Sequence, residues 1–240
     1  MMELKKRVFL SAEWRYLAML NYTIDPAVLK PLVPIGTELD SYEGNFFVSV
    51  VGFLFLNTKI FGYGIPFHRN FEELNLRFYV RRKTLEGWRR GAVFIKELVP
   101  RLAIAAVART VYGEPYTALP MRHKIERNEE GITLEYGWYR RGGWERIHAH
   151  ALGQPSTIKT GSLEEFIAEH YWGYSARGGG SREFAVEHPR WQIWNAAEAT
   201  LEADVATLYG DAFAESLSSP PTSTLIADGS PIIVRNAVNF

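Results

Sequence analysis

Apolar side chains recur with a period of two through segment after segment of this chain, separated by short turn signals. Successive side chains of a strand point to opposite faces, so this period commits most of the sequence to β-structure. Residues 15–24 set Tyr16, Ala18, Leu20, Tyr22 and Ile24 on one face. Residues 72–80 alternate cleanly, and 91–98 read as a further strand. Residues 46–56 are apolar on both faces, as in a strand covered from both sides. Three strands are predicted next, over 121–127, 132–140 and 146–152, with hairpin turns signalled by 128–131 and by Gly142-Gly143. A pair over 182–188 and 192–202, broken at Pro189, and a last strand over 230–236 complete the set.

Helices are few and short. Asp25 as N-cap, with Pro26 at the first helical position, opens one through Leu32. The alanine-rich stretch 100–111 predicts a short buried helix, ended by Gly113 and Pro115. Ser162 with Glu165 three residues on forms a capping box for a helix to about Tyr171. A fourth helix is expected over 205–216. Gly178-Gly179-Gly180 and the Ser-Pro tract at 216–223 read as loops, since neither borders a change in composition. The expectation is one domain over residues 1–240, mainly β (α+β), folded as a closed or nearly closed antiparallel barrel with a few short helices plugging its ends.

Composition excludes several function classes. Lysine plus arginine and aspartate plus glutamate number 27 each, so no net field favours nucleic acid or an anionic membrane, and neither is an expected partner. With 47% apolar and 14% aromatic residues the chain is not disordered. It has no cysteine, which removes disulfides, thiolate nucleophiles and cysteine-based metal sites. The charged start, and an apolar stretch interrupted by Glu13 and Arg15, do not read as an export signal. The longest apolar run, 46–56, falls short of the ~20 residues needed to span a bilayer. A cytoplasmic protein is expected; a homo-oligomer stays open.

The segment from Glu72 to Val80 carries the most chemistry. Leu74, Leu76, Phe78 and Val80 face one way, and Glu73, Asn75, Arg77 and Tyr79 the other. The polar face reads either as a solvated outer surface or as the lining of a barrel interior. In the second reading Arg77 forks to a carboxylate and Glu73 acts as acid or base. His148 and His150 share a strand face, a spacing that suits a metal, but no third ligand completes a motif, so no metal is expected. His188, Arg190, Trp191 and Trp194 form either a ligand clamp or a packed strand corner. The triple glycine precedes a strand-like segment, not a helix, and so is no phosphate cradle. No cofactor motif is present, and no cofactor is expected.

Read whole, the chain resembles the acetoacetate decarboxylase-like superfamily, in its uncharacterised YqjF-like branch. The resemblance covers nearly the entire length. It runs through Trp14-Arg15-Tyr16-Leu17, Tyr22-Thr23-Ile24-Asp25-Pro26 with Leu29, and Leu32-Val33-Pro34. It continues through 73–80 and 91–98 and ends at His188-Pro189-Arg190-Trp191. It implies a cone-shaped antiparallel barrel around a buried pocket, with Glu73, Asn75, Arg77 and Tyr79 turned inward.

The same resemblance exposes a departure. Acetoacetate decarboxylases form a Schiff base on a lysine that follows a Tyr-Pro pair and has a second lysine beside it. Here Tyr116 and Thr117 occupy those two positions, and the nearest downstream lysine is Lys124. Without an amine no iminium electron sink forms. The glutamates that family uses for acid–base work have no counterpart either, the matching stretches carrying Ser49 and residues 61–64. The expected function is binding of a small aromatic or carboxylate-bearing metabolite, with or without acid–base turnover, and not Schiff-base decarboxylation. Arg77 or Arg109 would anchor an anion; Asn75, Tyr79, Tyr116 and Trp191 would line the pocket; Glu73 or His188 would move a proton. The alternatives are a non-catalytic carrier or sensor, and an interaction scaffold.

Overall fold

The computed structural model describes residues 7–111 and 115–240, with backbone alone over 107–111. In chain order the strands are β1 (Val8–Thr23), β2 (Glu38–Leu39), β3 (Phe47–Ile60), β4 (Phe71–Thr84) and β5 (Gly87–Val99). Then follow β6 (Tyr116–Ala118), β7 (Met121–Arg127), β8 (Gly131–Arg140), β9 (Gly143–Leu152) and β10 (Ser156–Thr157). The last six are β11 (Trp172–Arg177), β12 (Gly180–Glu187), β13 (Gln192–Asn195), β14 (Glu198–Glu202), β15 (Ser223–Arg235) and β16 (Val238–Asn239). The helices are α1 (Pro26–Leu29), α2 (Leu102–Val111), α3 (Leu163–Ala168), α4 (Val205–Tyr209) and α5 (Asp211–Leu217). None of the described helices is long and apolar enough to cross a membrane.

The large sheet runs β15–β1–β3–β4–β5–β11–β12, and β12 returns to pair with β15 through Val186 with Val234 and Glu187 with Ile233. The path of paired strands therefore closes on itself. Neighbours along it are antiparallel except β11, which lies parallel to β5. Farther along β5, the short β6 also pairs in parallel and brings Tyr116 beside Glu97. A second sheet, β14–β9–β8–β7, covers one face of the first.

This layering gives the alternation of β4 its meaning. Leu74, Leu76, Phe78 and Val80 pack against Ile132, Leu134, Tyr136 and Trp138 of the second sheet. The other face of β4 looks into the ring, where Phe71 and Tyr79 share a core with Met19, Val51, Phe53 and Phe166. Strand β3 feeds both cores, Val48 and Val50 on one side and Phe47, Val51 and Phe53 on the other, as its doubly apolar pattern requires. The sheets approach so closely at Gly52 that an added Cβ would stand 2.7 Å from Tyr136 and 2.8 Å from Ile147. A bulge in β1 at Tyr16, whose φ is 55°, turns its carbonyl to accept the Tyr136 hydroxyl at 2.7 Å.

Several boundaries differ from the sequence reading. The expected helix over 205–216 is two, because Gly210 takes φ of 102° and breaks it; Asp204 caps the first through Thr207 N at 3.2 Å. The segment 192–202 is not one strand: β13 joins the large sheet and β14 the second, and Ala196 and Ala197 bond to one sheet each. The triple glycine is the turn of a β11–β12 hairpin, whose first strand the sequence reading passes over. Helix α3 stops at Ala168, and β15 begins at Ser223. In α2, Ala105 is buried while Leu102 and Ala103 are exposed, so the helix is not buried throughout.

Candidate functional site

Glu73 lies on the inward face of β4, buried, with a donor on each oxygen. Asn75, two residues on and therefore on the same face, donates from Nδ2 to Oε1 at 3.1 Å. Tyr116, positioned by β6, donates its hydroxyl proton to Oε2 at 3.0 Å. Burial nevertheless pushes the Glu73 carboxyl up to about 7, against the opposing pull of these two bonds and of the Arg77 charge. Glu97, also buried, stands opposite Asn75 on β5 and opposite Tyr116 on the other side.

These groups sit at the edge of a cavity of about 180 Å³. Its walls are largely apolar and include Trp14, Phe55, Phe71, Phe94, Ile104 and Phe184. Among the described residues its polar groups are those of Glu73, Glu97, Tyr116, Thr58 and His68 and the Trp14 indole N–H. In this lining Trp14 Nε1 and Thr58 Oγ1 are buried polar atoms with no hydrogen-bond partner among the described residues. Such atoms cost about 1–3 kcal/mol each unless something pairs with them. No lysine is among the described lining residues. Lys96, next to Glu97 in sequence, points the other way and donates from Nζ to the Leu208 carbonyl at 2.7 Å; burial lowers its pKa.

The remaining inward groups of β4 lie outside the cavity lining. Arg77 reaches the Ile167 carbonyl at 3.4 Å and the Met19 sulfur at 3.8 Å, and its Nε is buried with no partner among the described residues. No carboxylate of the described residues pairs with it within 4.0 Å. It does not line the cavity, and nor does Asn75. Tyr79 belongs to a separate chain: its hydroxyl and Ser49 Oγ are 2.6 Å apart, and Ser49 donates to Asn21 Oδ1 at 2.6 Å. His170 stacks on the Tyr79 ring at 4.5 Å, and burial drops its imidazole to about 4.

The later motif is a packed corner. His188 stacks on Trp191 at 4.3 Å with the planes 18° apart, and its Nδ1 lies 3.0 Å from the Pro189 carbonyl. Trp191 Nε1 donates to Ser230 Oγ at 2.9 Å. Trp14 stands 6.4 Å from both rings and is the one of the three that lines the cavity, so neither His188 nor Trp191 reaches it. Arg190 turns away to Glu165 at 2.6 Å. The side chain of Arg109 lies outside the described residues. His150 pairs with Thr133 Oγ1 at 2.8 Å on the second sheet. No group of three or more potential metal ligands occurs among the described residues.

Sequence reasoning missed Glu97 for a definite reason. Ile95 is an extra residue, a bulge that lets Lys96 oppose Leu76 while Phe94 opposes Arg77. The bulge reverses the alternation, so Phe94 and Glu97 both turn inward although they are three apart. Sequence reasoning likewise passes over Trp14, Thr58 and His68 as lining residues, since they come from the middle of β1, the end of β3 and the loop after it.

The fold is one found in enzymes of known structure. It superposes on an acetoacetate decarboxylase-like enzyme from Sphingomonas wittichii RW1 with a TM-score of 0.69 and 14% identity, covering 97% of this chain and 93% of that one. It also matches the enduracididine biosynthesis enzyme MppR, complexed with the condensation product of pyruvate and imidazole 4-carboxaldehyde, with a TM-score of 0.66 and 11% identity over 96% of this chain and 87% of that one. Identities this low show the fold alone. In sequence, the uncharacterized protein YqjF of Bacillus subtilis (strain 168) is 30% identical over 198 residues, 81% of this chain and 78% of that protein. With that relative, and with the DUF2071 family model matching residues 11–231, the chain belongs to the DUF2071 family of uncharacterized conserved proteins.

Proposed function

We infer that the cavity takes a small, largely aromatic metabolite whose polar end meets Glu73 and Tyr116, and that Glu73 exchanges a proton with it. The observation that carries this reading is the Glu73 carboxyl itself. It is held in place by Asn75 and Tyr116 at the edge of an apolar cavity and titrates near pH 7, where one group serves as both acid and base. The aromatic walls favour a ring over a flexible chain. The structural relatives lend support, because both are enzymes and one is complexed with the condensation product of pyruvate and imidazole 4-carboxaldehyde. The lack of a lysine among the described lining residues, together with Tyr116 at the nucleophile position, favours acid–base chemistry over an iminium route.

A carboxylate-bearing ligand is a second reading, favoured by one observation. Arg77 is an interior guanidinium without a carboxylate partner among the described residues, and an anion reaching past Glu73 would pair with it. A thermal-shift and calorimetric screen of aromatic metabolites, with and without a carboxylate, separates the two. Mass spectrometry of the bound compounds after incubation then distinguishes turnover from carriage. The proposal expects aromatic compounds to bind the parent and Glu73→Gln alike while only the parent changes them. Failure of every aromatic compound to bind would refute it.

A further inference from the structure

The segment 61–67, between β3 and β4, is exposed at every residue, yet four of the seven side chains are large and apolar. Phe61 is 44% exposed, Tyr63 80%, Ile65 44% and Phe67 87%. Leu102, at the start of α2, is 76% exposed. Scattered apolar residues on a surface need no explanation, but a cluster on one loop does. The cluster also has a place in the architecture. Ile65 and Ala103 are exposed and line the cavity at the same time, so the cavity reaches the surface between this loop and α2.

The charges within the loop and at the start of α2 are of one sign. No acidic residue occurs from 57 to 71 or from 98 to 113, whereas Lys59, Arg69 and Arg101 do. Arg7 lies over the Phe61 ring at 4.9 Å. These four cations are exposed, and none forms an ion pair among the described residues. Two acids border the region: Glu13 is paired with Arg15 at 2.7 Å, and Glu72 is bonded to His123 at 2.7 Å and also feels the Arg101 charge, leaving the cations in excess. The neutrality of the whole chain therefore conceals a local positive, aromatic-rich face.

We propose that the loop at 61–67 and the start of α2 dock on the surface of an anionic lipid bilayer, with the cavity opening toward the lipid. Aromatic and aliphatic side chains enter the headgroup boundary, and the surrounding lysine and arginines meet anionic headgroups. A second copy of the chain fits less well, because a two-fold interface through this face would set its cations against their own copies. The proposal does not depend on the ligand of the cavity. It revises the expectation, drawn from net charge, that no membrane is a partner.

Flotation of the intact protein with phosphatidylcholine vesicles, with and without added phosphatidylserine, tests it. The parent should bind the anionic vesicles at least roughly tenfold more tightly than the neutral ones, and added salt should weaken this binding. Tyr63→Ser with Phe67→Ser should lose roughly tenfold or more, and Lys59→Glu with Arg69→Glu a similar factor, each at the parent's melting temperature. Absence of binding, equal binding to neutral vesicles, or variants that bind like the parent would overturn it. So would a concentration-dependent dimer that Phe67→Ser dissolves while no vesicle is bound, which would assign the face to a second copy.

Discussion

The Tyr116 hydroxyl donates to Glu73 Oε2 at 3.0 Å, tying the short strand β6 to a buried carboxyl of β4. The phenol stabilises the ionised form of that acid. The first prediction follows from this bond. A hydrogen bond to a charged group is worth about 1.5–3 kcal/mol, and Glu73 is charged only above about pH 7. Tyr116→Phe should therefore cost more stability at pH 8.5 than at pH 5.5. Urea denaturation at the two pH values measures the difference, and equal losses would speak against the pairing.

The second prediction concerns the sign of two opposed titrations. The Glu73 pKa is raised from 4.5 to about 7 in the fold, so its contribution to stability is present below 4.5 and lost as pH rises through 7. His170 is lowered from 6.5 to about 4, so its contribution is present above 6.5 and lost as pH falls through 4. Between pH 4.5 and 6.5 the two slopes offset. Glu73→Gln should unmask the histidine, giving a stability that rises with pH across that window relative to the parent. The difference should be on the order of 3 kcal/mol at full span. A flat difference curve from chemical denaturation would show that Glu73 titrates normally.

Arg77 yields the third. Among the described residues its guanidinium is bonded to a carbonyl and a sulfur and lies 5.7 Å from the Tyr79 ring, and a part-buried charge without a carboxylate contributes little or unfavourably to stability. Arg77→Met keeps the stem and removes the charge. The melting temperature should match or exceed the parent's, and the Glu73 pKa should rise further as the opposing field is lost. A large loss of stability would mean that Arg77 has a stronger partner.

The inward face of β4 is legible in the alternation from Glu73 to Tyr79, but its direction is not. A strand with one polar face reads the same whether that face meets water or a pocket. Only the second sheet, by covering Leu74, Leu76, Phe78 and Val80, decides the matter. Glu97 escapes the pattern because the bulge at Ile95 resets the phase, and a bulge leaves no periodic trace. His188 and Trp191 carry the right chemistry, and their separation from the cavity by the Trp14 ring is a tertiary fact. The split at Gly210 was signalled by the glycine itself, in the middle of a segment read as one helix.

Gly52 tests the packing of the two sheets. Gly52→Ala places a methyl within 2.7 Å of the Tyr136 ring and 2.8 Å of Ile147 Cδ1, and should cost about 1–3 kcal/mol. Adding Ile147→Val removes one of the two opposing atoms and should recover part of that loss. Denaturation midpoints of the single and double variants check both statements, and a neutral Gly52→Ala would contradict the close approach.

The most direct test of a functional cavity at Glu73 is a ¹³C NMR titration of its labelled side-chain carboxyl, assigned through Glu73→Gln. The free protein should show a midpoint near 7, and an aromatic ligand found by screening should displace both the resonance and its midpoint. A midpoint between 4 and 5 that no aromatic compound moves would contradict the account.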